Sequence, residues 1–589
     1  LLYMGRYNLT VAKNALGELM TKEDFGIIFG AGTITYALAF LINGPLIDRL
    51  GGRRGILISS AGAALANFGL GLYLMHVLDA SDPTQQPLRL VFSLLYCVNM
   101  YFQSYGAVSI VKVNAHWFHV RERGGFSGIF GTMISSGIFL AFTVNGWVLE
   151  FLESSWPDQR LQWVVFVFPG SLLAIFFLVE LVLLRDRPGL AGHEDFDTGD
   201  ASSGDTSEAP LPTLQIFKRI FTHPVILTVA FIELCTGVLR NGVMHWFPIY
   251  AKEVWALPRE HLLRAGSWEH LWIVGACFGA AAVSGFLASR ARGGRRGFLV
   301  VLAALAFLAP FVQAGWGGLL FVAGVIGGNV AGWLSDLFFQ SRRAPTAALL
   351  YGVLVVAAVG MVFVLAEPAT EVEWAADGSG LEPHDRVVEI AGERAEGWAD
   401  VRAAVACWAP AMCERSRWDA EACVCTSAGD TGDEAAGDGA AADEADGDGA
   451  TIPAVVERGG ERIEIALHDP MPVQRAGDQR RLEARPVLPL SPLFLGAIVF
   501  LMSLCVIGTH GLLSGTATMD FGGRKSAATA VGVIDGFVYL GTAIQSISLG
   551  YITSVDWSYW PLFLIPFGAI GFLLLVRIWN AKPKAEGGR

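Results

Sequence analysis

Two arginines stand in stretches that are otherwise almost wholly apolar: Arg6 in LLYMGRYNLTVAKNAL and Arg240 in FIELCTGVLRNGVMHWF. A guanidinium stays charged and offers its donors in a planar fork that matches phosphate or carboxylate. Such a charge deep in lipid is costly, so it must face a cavity or a partner. Two readings are open. Each Arg is neutralised by a fixed acid, with Glu233 and Asp535 at hand, or the two converge on one cavity and hold an anion. His245, one turn beyond Arg240, either lends polarity to the site or merely ends a helix. Asp535 lies mid-segment in GVIDGFVYLG and can act as a proton carrier, an acceptor for a substrate hydroxyl or a partner for an Arg.

A second set of residues suits a gate. GPLIDRLGGRRG (44–55) and AGWLSDLFFQSRRAP (331–345) each place a small residue, an Asp and an Arg pair at the end of an apolar segment. Gly44 and Gly332 permit close helix approach. Asp48 and Asp336 can pair with Arg49, Arg53, Arg342 or Arg343, or cap a helix, in one conformation and release it in another. One such loop is an ordinary basic turn. Two copies at equivalent positions of two six-segment halves point to the internal repeat of a transporter.

These residues must be positioned by membrane helices. The chain has 589 residues, of which 53% are hydrophobic and 16% charged, whereas soluble chains carry about a quarter charged. The apolar residues fall in blocks long enough to cross a hydrocarbon core of ~30 Å as helices. They read as 1–19, 26–47, 55–78, 88–112, 125–148, 161–184, 223–250, 270–290, 298–314, 316–338, 346–366, 491–513, 526–550 and 558–578. Leu1 already lies inside an apolar block and no Met begins the chain, so the natural N-terminus is expected to be missing. Basic residues collect at alternate junctions: after the second block (Arg49, Arg53), the fourth (Arg121), the sixth (Arg185), the eighth (Arg290), the tenth (Arg342, Arg343), the twelfth (Arg524) and the last (Lys582). Such clusters mark the cytoplasmic side, which places both termini there and residues 367–490 outside. The net charge of −12 says little about substrate, because much of it sits in acidic low-complexity runs at 193–208 and 427–450 that cannot bury a core.

Longer stretches carry a family resemblance. MGRYNLTVAKNAL (4–16), VKVNAHWFHVRERGG (111–125), VLRNGVMHWFPIYAKEV (238–254) and MDFGGRKSAATAVGVIDGFVYLG (519–541) resemble helices of the organophosphate:phosphate antiporters of the major facilitator superfamily, which include glycerol-3-phosphate and hexose-phosphate transporters. The resemblance implies two six-helix halves around one site. It also implies that Arg6 and Arg240 bind the substrate phosphate, with Tyr3 beside the first. Two positions depart from it: a helix-five histidine of the glycerol-3-phosphate subgroup falls on Ile134, and a helix-two lysine on Phe40. Lys112 and His116 match family positions and are assigned to structure or gating.

The expected organisation is all-α and polytopic, with a small α+β domain inserted. Residues 1–184 form the first half and 185–222 a cytoplasmic linker. Residues 223–366 open the second half, with an extra hairpin at 270–314 that has no place in a twelve-helix pattern. Residues 367–486 form the extracytoplasmic insert, with a disordered acidic stretch at 427–450; 487–580 supply the last three helices and 581–589 a tail. Within the insert, 379–405 and 451–467 resemble a bacterial PDZ domain of the kind found in site-2 proteases: a strand and hairpin turn, a short helix at WADVRAAV, and two strands about Gly459–Gly460. The Gly-rich carboxylate loop of that domain is not evident, so a peptide binder and a purely structural domain stay equal readings. Cys407, Cys413, Cys423 and Cys425 cluster here and are expected to form one or two disulfides, with zinc as the rival.

No H-E-x-x-H, phosphate-binding Gly-rich Lys loop or complete calcium loop occurs, so neither catalysis, metal, cofactor nor nucleic-acid partner is expected. The expected function is a secondary active transporter in a bacterial plasma (inner) membrane. By resemblance it moves an organophosphate in exchange for inorganic phosphate. The alternatives are a sugar-phosphate sensor that does not transport, and a transporter of a carboxylate such as a sugar acid.

Overall fold

The computed structural model describes residues 1–80, 83–118, 123–157, 159–195, 224–258, 260–267, 271–339, 342–365, 367–407, 416–419, 424–427, 452–467 and 484–580. Twelve helical segments among them are long and apolar enough to cross a membrane. Two further expected segments complete the bundle as the short α1 (Met4–Leu16) and the polar-studded α4 (Leu88–Trp117).

Local chemistry sets the helix ends. Thr21 and Asp24 form a reciprocal capping box that opens α2 (Lys22–Leu50). Gly51, with φ of 87°, ends α2 and lets α3 (Gly52–Asp79) begin at once. α5 (Arg123–Phe139) runs through a π-helical turn at Leu140–Val144 into α6 (Asn145–Ser155), and α7 (Val164–Leu183) follows. The expected block at 223–250 is two helices, α8 (Pro224–Met244) and α9 (Trp246–Glu253), broken at His245. The added hairpin is α10 (Leu271–Arg290) and α11 (Gly294–Val312), turned at Gly293. α12 (Gly315–Phe339) and α13 (Arg343–Val364) lead to the insert. After it come α15 (Pro492–His510), a π-helical turn at Gly511–Ala517, α16 (Thr518–Val555) and α17 (Tyr559–Arg577). The loop expected between 513 and 526 is therefore helical, and Gly522 and Gly523 each cost a helix only about 1 kcal/mol.

The packing repeats along the chain. α3 lies against α4 and α7, as α13 lies against α15 and α17; α2 packs on α4, as α12 packs on α15. Between these groups the main contacts are α2 with α16 and α5 with α12. Glycine makes the first of these close. A Cβ on Gly26 would lie 2.6 Å from the Ser546 carbonyl oxygen, and one on Gly532 would lie 2.7 Å from that of Phe40. α10 and α11 pack on each other and, through α11, on α12; about a tenth of each is buried, as expected for a lipid-facing addition.

The insert has its own small core. β2 (Arg386–Ile390), β3 (Glu393–Arg394), β6 (Ile452–Arg458) and β7 (Glu461–Leu467) form an antiparallel sheet in the order β3-β2-β6-β7. β6 and β7 turn at Gly459 and Gly460, both at positive φ. α14 (Trp398–Cys407) packs on this sheet through buried Trp398 and Val401. β1 (Val372–Ala375) pairs with β8 (Ala484–Pro486), and β4 (Ser416–Asp419) with β5 (Val424–Ser427). The expected disulfides fall outside the described residues: Cys413 and Cys423 are not described, nor are the side chains of Cys407 and Cys425.

Candidate anion-binding cavity

Arg6 is buried in the bundle at 2% exposure. Its backbone is gripped from α3 and α4: Asn67 and Asn99 donate to the Gly5 carbonyl at 3.1 and 2.8 Å, and the Tyr96 hydroxyl donates to that of Arg6 at 2.8 Å. Its guanidinium donates from Nε to Gln103 at 3.0 Å, from Nη1 to the Tyr539 hydroxyl and from Nη2 to the Tyr36 hydroxyl, both at 2.6 Å. The charge also lies 4.9 Å from the Tyr3 ring centre and 4.2 Å from that of Tyr36, where ring quadrupoles favour a cation. Every acceptor is neutral. The orientation of Arg6 is fixed while its charge is left uncancelled.

Arg240 is the opposite case. It is 4% exposed, and its Nε and Nη2 have no hydrogen-bond partner. It lies within electrostatic range of Tyr3, Tyr7 and Tyr539, the tyrosines that also face Arg6. Glu233, two turns away on α8, is within that range too. Neither Arg6 nor Arg240 has a carboxylate at hydrogen-bonding distance among the described residues. Of the two sequence readings, fixed pairing with an acid is therefore not what these side chains adopt. An unpartnered buried guanidinium is expensive to hold empty, and an anion with oxygens free to accept would satisfy it.

A cavity of about 380 Å³ adjoins Arg6, and Arg240 is not among its lining residues. Its polar end is lined by Tyr3, Arg6, Tyr36, His510, Asp535 and Tyr539. Its longer side surrounds the first residues, Leu1 and Leu2, and runs along α3, α4 and α7 to Leu184; it is mostly apolar, with Ser60, Asn114 and Glu180 as its polar members. Ile134 lines it where the resemblance has a histidine. Phe40, in place of a lysine, packs edge-on against Tyr36 at 4.4 Å. Asp535 reaches the cavity and accepts from the Ser514 hydroxyl at 2.6 Å. His245 does not line it: its Nδ1 shares a hydrogen bond with Thr10 at 2.6 Å among Tyr7, Phe25, Phe29 and Phe142. Gln103, Tyr36, Tyr539 and His510 were not singled out in the sequence. The available signal was polar side chains inside apolar blocks.

At the end that carries the insert, ion pairs tie α1 and α2 to α9. Lys13 pairs with Glu253 at 3.1 Å, and Lys22 with the same carboxylate at 3.6 Å. At the other end the gate residues take separate partners. Lys112 pairs with Asp48 at 3.0 Å, within the first helix group. The Arg53 guanidinium donates to the Leu184 and Leu181 carbonyls at the end of α7, and its backbone N–H to Asp186 at 2.6 Å, where a cation complements the helix dipole. Arg343 pairs with Asp336 at 3.2 Å, and Arg342 donates to the Phe339 carbonyl. Arg49 sits in the last turn of α2. Gly44 meets Gly532 in the close α2–α16 crossing. Gly332 does not act as expected: a Cβ there would meet nothing within 4 Å, because no described element packs on that face of α12.

Comparison with known proteins agrees with this architecture. The model of the Major Facilitator Superfamily matches residues 1–364. The glycerol-3-phosphate transporter of Bacillus subtilis is 23% identical over 354 residues, covering 59% of this chain and 64% of that protein. The membrane sensor protein UhpC of Salmonella typhimurium is 24% identical over 305 residues, covering 49% and 61%. A probable hexose phosphate transport protein of Chlamydia muridarum is 24% identical over 310 residues, covering 50% and 62%. The chain thus spans less than two thirds of the length of these relatives. They match the organophosphate:phosphate antiporter resemblance read from the sequence, and the chain belongs to the Major Facilitator Superfamily.

Proposed function

We propose that this chain is a secondary active transporter that moves an organophosphate, or another anionic metabolite, by alternating access in exchange for inorganic phosphate. The observation that carries this reading is a pair of buried arginines with no carboxylate at hydrogen-bonding distance among the described residues: Arg6, on the cavity wall and held by neutral oxygens, and Arg240, with two unpartnered nitrogens. Phosphate offers enough acceptor oxygens to meet both. Transport of glycerol 3-phosphate and of hexose phosphate by the named relatives supports the same substrate class. Tyr3 and Asp535 contribute at the cavity wall. His245 supports the helix break behind Arg240. The two halves would rock about the α2–α16 and α5–α12 contacts, opening the Lys13–Glu253–Lys22 end in the other state. By the distribution of basic residues, both termini face the cytoplasm of a bacterium and the PDZ-like insert faces outside, where it holds a peptide or stiffens the α13–α15 connection.

Uptake of labelled glycerol 3-phosphate or glucose 6-phosphate into proteoliposomes tests the reading. Uptake driven by phosphate loaded inside, and competed by phosphates but not sugar acids, is the expected result. Competition by sugar acids alone would shift the substrate to a carboxylate. Binding without flux would mean sensing, the role carried in the name of the Salmonella relative. Uptake unchanged in both Arg6→Lys and Arg240→Lys would sink the anion site.

A further inference from the structure

Behind Arg240 lies a second buried group that phosphate binding does not use. The Glu233 side chain is fully buried on α8, and its Oε2 lies 2.8 Å from His510 Nδ1 at the end of α15. Its Oε1 has no partner. His510 itself lines the cavity, as does Asp535 on α16, and the two are within electrostatic range of each other. Among the described residues, the other titratable groups facing the pair are Cys235 and Arg240 on α8 and Tyr351 on α13. Of these, Arg240 alone brings a fixed positive charge.

We propose that the Glu233–His510 pair binds a proton, and that anion and proton binding are coupled through Arg240. With neutral His510 donating from Nδ1, the pair has a charge of −1. Among the described residues, the cation within electrostatic range that can compensate it is Arg240. When an anion claims Arg240, Glu233 loses that compensation, and a fully buried carboxylate with one hydrogen bond is costly. A proton from the aqueous cavity enters through His510 and makes the pair neutral, as carboxylate and imidazolium or as carboxylic acid and imidazole. The converse follows from linkage: a proton on the pair frees Arg240 and raises anion affinity. The loaded carrier therefore takes an anion with a proton, and release of one weakens the other.

This inference rests on the anion site proposed above. Isothermal titration of glycerol 3-phosphate, and separately inorganic phosphate, into the detergent-purified full chain at about pH 8.5, in buffers of different ionisation enthalpy, counts protons. Wild type should take up about one proton per anion, and its affinity should fall by up to about tenfold per pH unit above the pair's titration. Glu233→Gln should take up about none and lose that pH dependence. Binding without proton uptake by wild type overturns the inference alone. So does the same proton count in Glu233→Gln, because the ligand or Asp535 would then be the proton's acceptor. If Glu233→Gln does not fold, Glu233→Leu, which also removes the carboxylate, is read in the same way. No binding of either anion overturns the anion site and this coupling with it.

Discussion

Buried charge is handled in opposite ways in the bundle and in the insert. In the insert, Asp385 is fully buried, and Arg458 meets it with both arms of its fork, Nε to Oδ1 and Nη2 to Oδ2, each at 2.8 Å. The Glu382 N–H adds a third bond at 2.8 Å. Charge and hydrogen bonding are complete, and nothing is left for a ligand. In the bundle, Arg6 is oriented by neutral oxygens and Arg240 keeps two nitrogens unpartnered. Closed pairing locks a small domain whose core is too slight to hold alone. Open charge keeps a place for something that comes and goes.

The largest effect should follow from Arg240→Lys. Removing the fork should lower anion affinity on the order of 100-fold, about 3 kcal/mol, while the melting temperature of the empty protein changes little. Calorimetric titration and a thermal melt read the two together. A large loss of stability with unchanged affinity would make Arg240 a closed, structural charge like Arg458.

Arg458→Ala should come next, at about 2 kcal/mol, because it strands a buried carboxylate. Hydrogen exchange over residues 372–467 of the full chain should rise in the insert, with the bundle amides unchanged. Acid should mimic this variant. Burial tends to raise the Asp385 carboxyl, but the Arg458 hydrogen bonds and the Glu382 N–H outweigh it and hold it below the ordinary carboxylate range. A lowered carboxyl stabilises above its unfolded value and loses that stability as pH falls through the folded one. Insert protection should therefore fall below about pH 4, and Arg458→Ala should flatten that fall.

Tyr539→Phe removes one neutral acceptor from Arg6. It should cost about 1 kcal/mol, or roughly fivefold in anion affinity. A smaller change than in Arg240→Lys supports the division between an oriented and an open arginine. Arg343→Ala should be least: its pair with Asp336 is largely exposed on the acid's side, and such pairs contribute under about 1 kcal/mol. A transport defect there without a stability defect would assign the pair to gating.

The apolar blocks alone determined the membrane helices, because a span in lipid must close its own backbone hydrogen bonds wherever its neighbours lie. Arg6 and Arg240 were legible for the same reason: a charge in such a block has no local excuse. The insert's hairpin was legible at Gly459–Gly460, since positive φ is written into the residue type. Three-dimensional packing decided the rest. Gln103, Tyr36 and Tyr539 come to Arg6 from helices 30 to 533 residues away, a distance no helical periodicity can bridge. The same holds for the His510–Glu233 contact, 277 residues apart. Gly44 and Gly332 sit in matching motifs, yet one meets a helix and the other open space. A motif specifies what a residue can permit; only the packed partner decides whether it is used.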